Sequence, residues 1–193
     1  RNTTKMNLPN KLTLFRIILV PIMVIVSFFD IPGSFLGIST TMWIMELIFI
    51  IASITDKLDG YLARKNNQVT DFGKVMDAIA DKILVNGVLI IMACNGLLPT
   101  IIPVIIVLRD TFVDSIKMVA SSKNGKAVGA SKAGKIKTAC MMLGLALMFF
   151  SNLPFELFGF SIGYYFVIIA CVFSVYSGIQ YFIVNKEALT KKL

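Results

Sequence analysis

Six long apolar runs constrain the fold of this chain more than any other feature. A helix needs about 20 predominantly apolar residues to cross the hydrocarbon core of a bilayer, and each run is close to that length. Hydrophobic residues make up 56% of the sequence, which is more than soluble domains usually carry. The sequence therefore predicts an all-α, polytopic membrane protein with six transmembrane helices. The predicted helices are Leu14–Phe29, Thr41–Arg64, Gly73–Cys94, Ile101–Ala120, Ala133–Ser151 and Ile162–Val184.

The segment before the first apolar run has two features of its own. Residues Leu8–Phe15 are amphipathic, which is compatible with an interfacial helix that precedes the first crossing. Met6 resembles a natural start, so we expect Arg1–Lys5 to be an added remnant. The sequence then predicts a single membrane domain over residues 6–193.

Lysine and arginine are concentrated at alternate breaks between the runs. They occur in the N-terminal segment, around Lys65–Phe72, within Ser121–Lys132 and in the C-terminal tail, whereas the other three breaks contain none. Positively charged loops favour the cytoplasmic side, so both termini are predicted to be cytoplasmic. The net charge of +8 is thus interpreted as a sign of topology in a multi-pass plasma-membrane protein, and not of nucleic-acid binding.

Four aspartates interrupt the second and third apolar runs. Asp56 and Asp59 are spaced i, i+3, and Asp77 and Asp81 are spaced i, i+4, so each pair shares one face of a helix. Placing an ionisable side chain within a membrane costs free energy, so such residues indicate a functional site. The predicted topology puts these four aspartates just below the cytoplasmic surface. Two divalent cations would balance four carboxylates, and all-oxygen ligation favours Mg²⁺ or Mn²⁺. The structural alternative is a contact of small residues with aspartates paired to lysines, but the adjacent lysines do not share their faces.

The spacing of these aspartates belongs to a longer pattern, D-x-x-D-G-x-x-A-R-x8-G-x3-D-x3-D. This pattern is similar to the signature of the CDP-alcohol phosphatidyltransferases, and the resemblance covers Met6 to Val184. Eight fixed positions at fixed spacing make the match highly specific. They are filled by Asp56, Asp59, Gly60, Ala63, Arg64, Gly73, Asp77 and Asp81.

The resemblance implies a role for each signature residue. Asp56, Asp59 and Asp77 would be ligands of two divalent cations, while Asp81 would be both a ligand and the general base for the acceptor hydroxyl. A homodimer is implied as well. The residues expected to contact the CDP-diacylglycerol donor are Asp56, Asp59, Gly60, Ala63, Arg64 and Gly73.

Less specific sequence similarities suggest the identity of the acceptor substrate. The opening Met6–Arg16, Arg109 and the stretch Ala130–Thr138 resemble family members that make phosphatidylglycerophosphate. The implied reaction joins CDP-diacylglycerol and sn-glycerol 3-phosphate to give phosphatidylglycerophosphate and CMP. One departure is Asp110, where the resemblance leads us to expect glutamate.

The predicted glycerol-phosphate site consists of basic and hydroxyl side chains, namely Arg109, Ser131, Lys135 and Lys137. An arginine in mid-helix should face the protein interior, either as an anion clamp or in an internal ion pair with a nearby aspartate. We favour Lys135 over Lys137 because it follows Gly134 at a helix N-terminus, where an anion is stabilised further.

Two alternatives to this function remain. The first is a sister transferase with another acceptor, such as inositol phosphate, serine or phosphatidylglycerol. The second is a divalent-cation transporter that uses the aspartates as its ion path. Transport should need acidic residues on both sides of the bilayer midplane, and only Glu46 lies in the outer half.

Overall fold

The structure is a computed structural model that describes residues 7–66, 69–124, 132–153, 155 and 159–190. It is helical, as the sequence predicts, and each apolar run coincides with a helix to within a few residues at most ends. One short hairpin is added between the first two helices. The elements are α1 (Leu8–Ser27), β1 (Ser34–Phe35), β2 (Ile38–Ser39), α2 (Thr40–Lys65), α3 (Asp71–Cys94), α4 (Ile101–Asn124), α5 (Lys132–Phe149) and α6 (Ile162–Thr190).

Helix α1 begins at a capped turn. The Asn7 side chain accepts a hydrogen bond from the backbone N–H of Asn10 at 3.1 Å, and Pro9 lies in the first turn, where its missing N–H costs nothing. The helix then continues to Ser27. The amphipathic piece Leu8–Phe15 is therefore the first part of α1 and not a separate interfacial helix, because no proline or glycine interrupts the chain between Pro9 and Pro21.

The hairpin precedes α2 and positions its start. Ser34 pairs with Ser39 and Phe35 with Ile38, in antiparallel register. Leu36 and Gly37 connect the strands with φ angles of 54° and 78°. Positive φ at both central residues matches the twist of a two-residue hairpin. Leucine rarely adopts a positive φ, so the sequence predicts only a polar break here. Ser39 then caps α2 by accepting from the N–H of Met42 at 3.3 Å.

Helix α3 is capped by Thr70. Its hydroxyl oxygen accepts from the N–H of Gly73 at 2.9 Å, while its carbonyl accepts from Lys74 at 3.0 Å. Asp71, whose position after a polar break predicts an N-cap, is instead the first helical residue and pairs with Lys74 at 2.9 Å. That prediction was wrong because two residues suited to capping are adjacent and the hydroxyl of Thr70 is the one aligned with the helix.

The chain divides into two compact units. The first contains α1, the hairpin, α2, α3 as far as Ile91, and Phe149–Leu153. Here α1 packs against α2, and the rings of Phe49 and Phe149 lie 5.6 Å apart. Its fully enclosed apolar side chains include Met23, Met45, Ala52, Leu84 and Val88.

The second unit contains α4, α5 and α6. Helix α4 packs along α6, and α5 approaches α6 so closely that a Cβ on Gly144 would lie 2.9 Å from the carbonyl oxygen of Gly163. The buried side chains include Ile106, Val113, Met141, Leu145 and Val167.

Two of the described helices are long and apolar enough to cross a membrane by length and composition, namely α1 and residues Ile162–Lys186 of α6. The six-span topology and the cytoplasmic termini stay predictions.

Candidate active site

A cavity of about 450 Å³ in the first unit gathers the whole sequence signature. It is lined by side chains from the start of α1, the second half of α2 and the first half of α3. All eight signature residues line it, although the pattern extends over two helices and the connection between them. They are Asp56, Asp59, Gly60, Ala63, Arg64, Gly73, Asp77 and Asp81.

The four carboxylates converge on one guanidinium, that of Arg16 in α1. Its Nη1 lies 2.8 Å from Asp56 Oδ1, 3.3 Å from Asp77 Oδ1 and 2.6 Å from Asp81 Oδ1. Its Nη2 lies 2.5 Å from Asp59 Oδ2. The facing pairs that the spacing predicts are therefore present, and a cation from a third helix joins them.

The members of this cluster differ in exposure. The Arg16 side chain is fully enclosed and that of Asp59 is 4% exposed, whereas Asp56, Asp77 and Asp81 are 36%, 45% and 54% exposed. Asp59 also accepts from the Thr13 hydroxyl at 2.9 Å, which fixes it in the protein interior. Three carboxylates thus remain accessible from the cavity, with Asp81 the most accessible.

The donor set fits a hard divalent cation. Asp56, Asp59 and Asp77 each offer one carboxylate oxygen, and these oxygens lie within 4.8 Å of one another. Mg²⁺ binds carboxylate oxygens at about 2.1 Å, so two oxygens on one ion lie at most about 4.2 Å apart, and a small closure of this cluster would bring all three within reach of one ion. Asp81 lies outside this set of three but shares the Arg16 guanidinium with it. Oxygen ligands favour Mg²⁺ or Mn²⁺ over softer metals.

The two glycines of the signature have different structural roles. A Cβ on Gly73 would lie 2.7 Å from Asn10 Oδ1 and 3.0 Å from Thr70 Oγ1, so glycine allows α1 and α3 to approach. A Cβ on Gly60 would meet only the Arg64 side chain, at 3.7 Å. The space beside Gly60 is therefore open to the cavity, where a ligand can lie against the helix.

Sequence reasoning missed two residues of this cluster, Arg16 and Thr13. From the sequence, Arg16 is one of the N-terminal charges that indicate topology and the last residue of the stretch Met6–Arg16 that resembles family members, with no role at this site. A signal was present, because Arg16 is followed directly by an apolar run, where a charge should face the protein interior. Thr13 lies one turn earlier on the same face of α1.

Three of the four predicted acceptor residues are described, and these three lie in the second unit. Arg109 donates to the carbonyl of Ser174 at 2.8 Å, to Asp110 at 2.8 Å and to the Ser177 hydroxyl. Lys137 donates to both oxygens of Asp110, at 2.7 and 3.0 Å. These contacts link α4, α5 and α6, and they realise the internal ion pair that was the alternative for Arg109.

Lys135 differs from this pair in its exposure. Lys135 is exposed, two residues before the buried Lys137, as expected when neighbouring positions point to different sides of a helix. Ser131 lies outside the described residues. The structure thus brings Arg109 and Lys137 together around Asp110 and leaves the side chain of Lys135 accessible to a ligand.

Comparison with known proteins places this site in a family. The sequence profile of the CDP-alcohol phosphatidyltransferases matches residues 6–176. A Bacillus subtilis (strain 168) protein named CDP-diacylglycerol–glycerol-3-phosphate 3-phosphatidyltransferase is 41% identical over 188 residues, covering 95% of this chain and 97% of the relative. A Haemophilus influenzae protein of the same name is 36% identical over 189 residues, covering 96% of both chains. A third, from Mycoplasma genitalium, is 32% identical and covers 92% of this chain and 83% of its own length.

Proposed function

The chain belongs to the CDP-alcohol phosphatidyltransferase family, and we propose that it transfers the phosphatidyl group of CDP-diacylglycerol to sn-glycerol 3-phosphate. The products are phosphatidylglycerophosphate and CMP. The observation that carries the proposal is the meeting of all eight signature residues around one cavity. Relatives named for this reaction match nearly the whole chain, which supports the acceptor.

The proposed mechanism assigns Asp56, Asp59 and Asp77 as the residues that hold divalent cations, with Asp81 completing the site. Bound cations would neutralise the donor diphosphate and the charge that develops on departing CMP. Two such ions suit the four carboxylates, with Mg²⁺ or Mn²⁺ as the candidates. The chain itself supplies the positions, since α2 and α3 hold the carboxylates in facing pairs.

Asp81 is proposed as the general base. Among the four carboxylates of the cluster it is the most exposed, so it can reach the hydroxyl of a bound acceptor. The hydroxyl oxygen attacks the phosphorus of the phosphatidyl group, the bond from that phosphorus to the CMP oxygen breaks, and Asp81 takes the hydroxyl proton. Asp59 is too enclosed for this role and is held by Thr13 and Arg16.

The donor's cytidine diphosphate is proposed to lie along α2. Gly60 leaves open space there, while Ala63 and Arg64 line the same cavity one turn further along. Arg64 offers a fork of donors suited to phosphate oxygens. On α3, Gly73 also lines the cavity. The glycerol-phosphate residues remain proposed as Arg109, Ser131, Lys135 and Lys137.

The site is proposed to open to the cytoplasm in a multi-pass protein with six crossings and both termini inside. The alternation of lysine-rich and lysine-free breaks supports this topology, and the resemblance to the family supports a homodimer. Cysteine probes should locate Ser121–Lys126 and the C-terminus on the cytoplasmic side and Asn152–Ser161 outside. The reverse labelling pattern would contradict the topology.

An acceptor panel tests the function. The purified protein is incubated with labelled CDP-diacylglycerol, Mg²⁺ or Mn²⁺, and one acceptor at a time: glycerol 3-phosphate, inositol phosphate, serine or phosphatidylglycerol. Glycerol 3-phosphate should give labelled phosphatidylglycerophosphate and the other acceptors should give little product. Preferential use of another acceptor would retain the family chemistry but overturn the proposed substrate.

A further inference from the structure

The Arg16 guanidinium occupies the place where the aspartates converge. Nη1 carries two protons, yet it lies within 3.3 Å of oxygens from three carboxylates. A single nitrogen so surrounded is in the position of a central cation, with the carboxylates as its ligands. The side chain that places it there is fully enclosed by protein.

Arg16 and a divalent cation compete for the same carboxylates. The set suited to a cation consists of Asp56, Asp59 and Asp77, and the guanidinium contacts all three. An ion bound among these oxygens would lie beside Nη1, and two positive centres at that separation repel strongly in a partly enclosed site. Because the carboxylate oxygens cannot bind the guanidinium and the divalent cation fully at the same time, Nη1 must move away from them when the ion binds.

The present arrangement of Arg16 leaves one of its donors unused. Within the described residues, Nε is buried and has no hydrogen-bond partner, so the guanidinium is held through its two terminal nitrogens only. Nη2 contacts Asp59 Oδ2 and is a separate anchor from Nη1. A rotation that keeps the Asp59 contact could therefore release the other three carboxylates while the positive charge stays paired.

We propose that Arg16 is a built-in counter-cation that holds the four aspartates together before metal binds, and that its Nη1 is exchanged for the divalent cation at Asp56, Asp59 and Asp77 while Nη2 keeps its contact with Asp59 Oδ2. The exchange gives Arg16 two effects. It relieves the repulsion that four clustered carboxylates would otherwise exert on the fold. It also weakens apparent metal affinity, and so sets the cation concentration at which the site fills. This inference rests on the proposed cation site.

Direct metal binding without substrates tests the inference. The protein is stripped with EDTA, exchanged into chelator-free buffer, and titrated with Mn²⁺ while free Mn²⁺ is followed by electron paramagnetic resonance. Arg16→Gln should bind Mn²⁺ about tenfold more tightly than the unaltered protein, since the loss of charge-assisted contacts removes the competitor. Arg16→Lys, with one ammonium in place of the fork, should lie between the two. Lys11→Gln, an exposed charge on the same helix, is the matched control and should leave the Kd within about twofold.

Thermal unfolding provides the second readout. In EDTA, Arg16→Gln should unfold at lower temperature than the unaltered protein, and saturating Mn²⁺ should raise its Tm by more than it raises that of the unaltered protein. A merely structural role for Arg16 would lower Tm equally with and without the ion.

The outcomes separate the two proposals. Equal or weaker Mn²⁺ binding by Arg16→Gln would overturn the exchange and make Arg16 a residue that builds the metal site. If Arg16→Gln does not fold, Arg16→Lys decides by the same criterion. Absence of Mn²⁺ binding by the unaltered protein would overturn both the exchange and the proposed cation site, whereas the phosphatidyl-transfer reaction itself is judged separately by the acceptor panel.

Discussion

Among the described residues, two charged clusters within the apolar helices have opposite charge balances. In the first unit, four carboxylates share the single guanidinium of Arg16. In the second, Arg109 and Lys137 share the single carboxylate of Asp110. From sequence alone both are costly charges in apolar segments and both suggest function.

The difference between the clusters is in accessibility as well as in charge. Three carboxylates of the first cluster are between 36% and 54% exposed and face a cavity. In the second, the Arg109, Asp110 and Lys137 side chains are 14%, 10% and 11% exposed, and hydrogen bonds to Ser174 and Ser177 use further donors. Excess charge that is open to a cavity can bind an ion, whereas enclosed and paired charge mainly joins helices.

The largest effect that this comparison predicts is the loss of activity when an aspartate of the first cluster is replaced. Asp56→Asn, Asp59→Asn or Asp77→Asn should each abolish phosphatidyl transfer, because each removes a charged ligand of the proposed cation site. The readout is the release of labelled CMP at saturating Mg²⁺ or Mn²⁺. Asp71→Asn, an exposed aspartate at the start of α3, is the matched control and should retain activity. Near-normal turnover of any of the three variants would exclude that residue as an essential ligand.

For the second cluster the main loss should be in stability. Asp110→Asn leaves Arg109 and Lys137 without their shared anion, which should lower the free energy of unfolding by about 3 kcal/mol. Thermal or denaturant unfolding in detergent measures the change, and Asp30→Asn provides an exposed control. An unchanged stability together with lost glycerol 3-phosphate binding would show that Asp110 belongs to the acceptor site.

Substitution of Lys135 tests acceptor binding separately from the stability of the second cluster, because its exposed side chain can be changed without disturbing the Asp110 network. Lys135→Ala should raise the KM for glycerol 3-phosphate about ten- to hundredfold and leave the KM for CDP-diacylglycerol nearly unchanged. Arg109→Ala should raise the same KM only together with a loss of stability, and Lys137→Ala should raise it less, because both side chains are enclosed and paired with Asp110. Each substrate is varied in turn, and protein stability is measured in parallel because Arg109 and Lys137 are paired. A rise mainly in the KM for CDP-diacylglycerol would assign Lys135 to the donor.

The smallest predicted effect is on stability, and it differs between alanine substitutions at two glycines of the first unit. Gly73→Ala should lower the free energy of unfolding by about 1–2 kcal/mol, because the new methyl group would press on Asn10. Gly60→Ala meets no such obstacle and should be neutral or stabilising by about 0.5 kcal/mol through better helix propensity. Equal losses in thermal unfolding would indicate that the close approach at Gly73 is relieved cheaply.

Much of the fold and of the aspartate cluster could be predicted because the governing patterns are local. Apolar runs determine helices, and i, i+3 and i, i+4 spacings place aspartates on one face, as the contacts of Asp77 and Asp81 with the same guanidinium nitrogen confirm. Contacts between distant segments could not be read in the same way. Arg16 contacts Asp81, which lies 65 residues further along the chain, and no spacing rule connects them.

Local signals also failed where two residues competed. Thr70 and Asp71 are both suited to capping, and only the direction in which the helix begins decides between them. The turn at Leu36 is a similar case, since its left-handed backbone is stabilised by the pairing of two short strands and not by the residue's own preference.

The most direct test of the central claim is metal-dependent product formation. Chelator-stripped protein is given labelled CDP-diacylglycerol and glycerol 3-phosphate, and Mg²⁺ or Mn²⁺ is then titrated in, with Asp59→Asn carried in parallel. We predict no product before the ion is added, and afterwards phosphatidylglycerophosphate and CMP in equal amounts from the unaltered protein only. Product formation in the stripped state, or equal rates from Asp59→Asn, would contradict the assignment of the aspartate cluster as a cation-dependent transfer site.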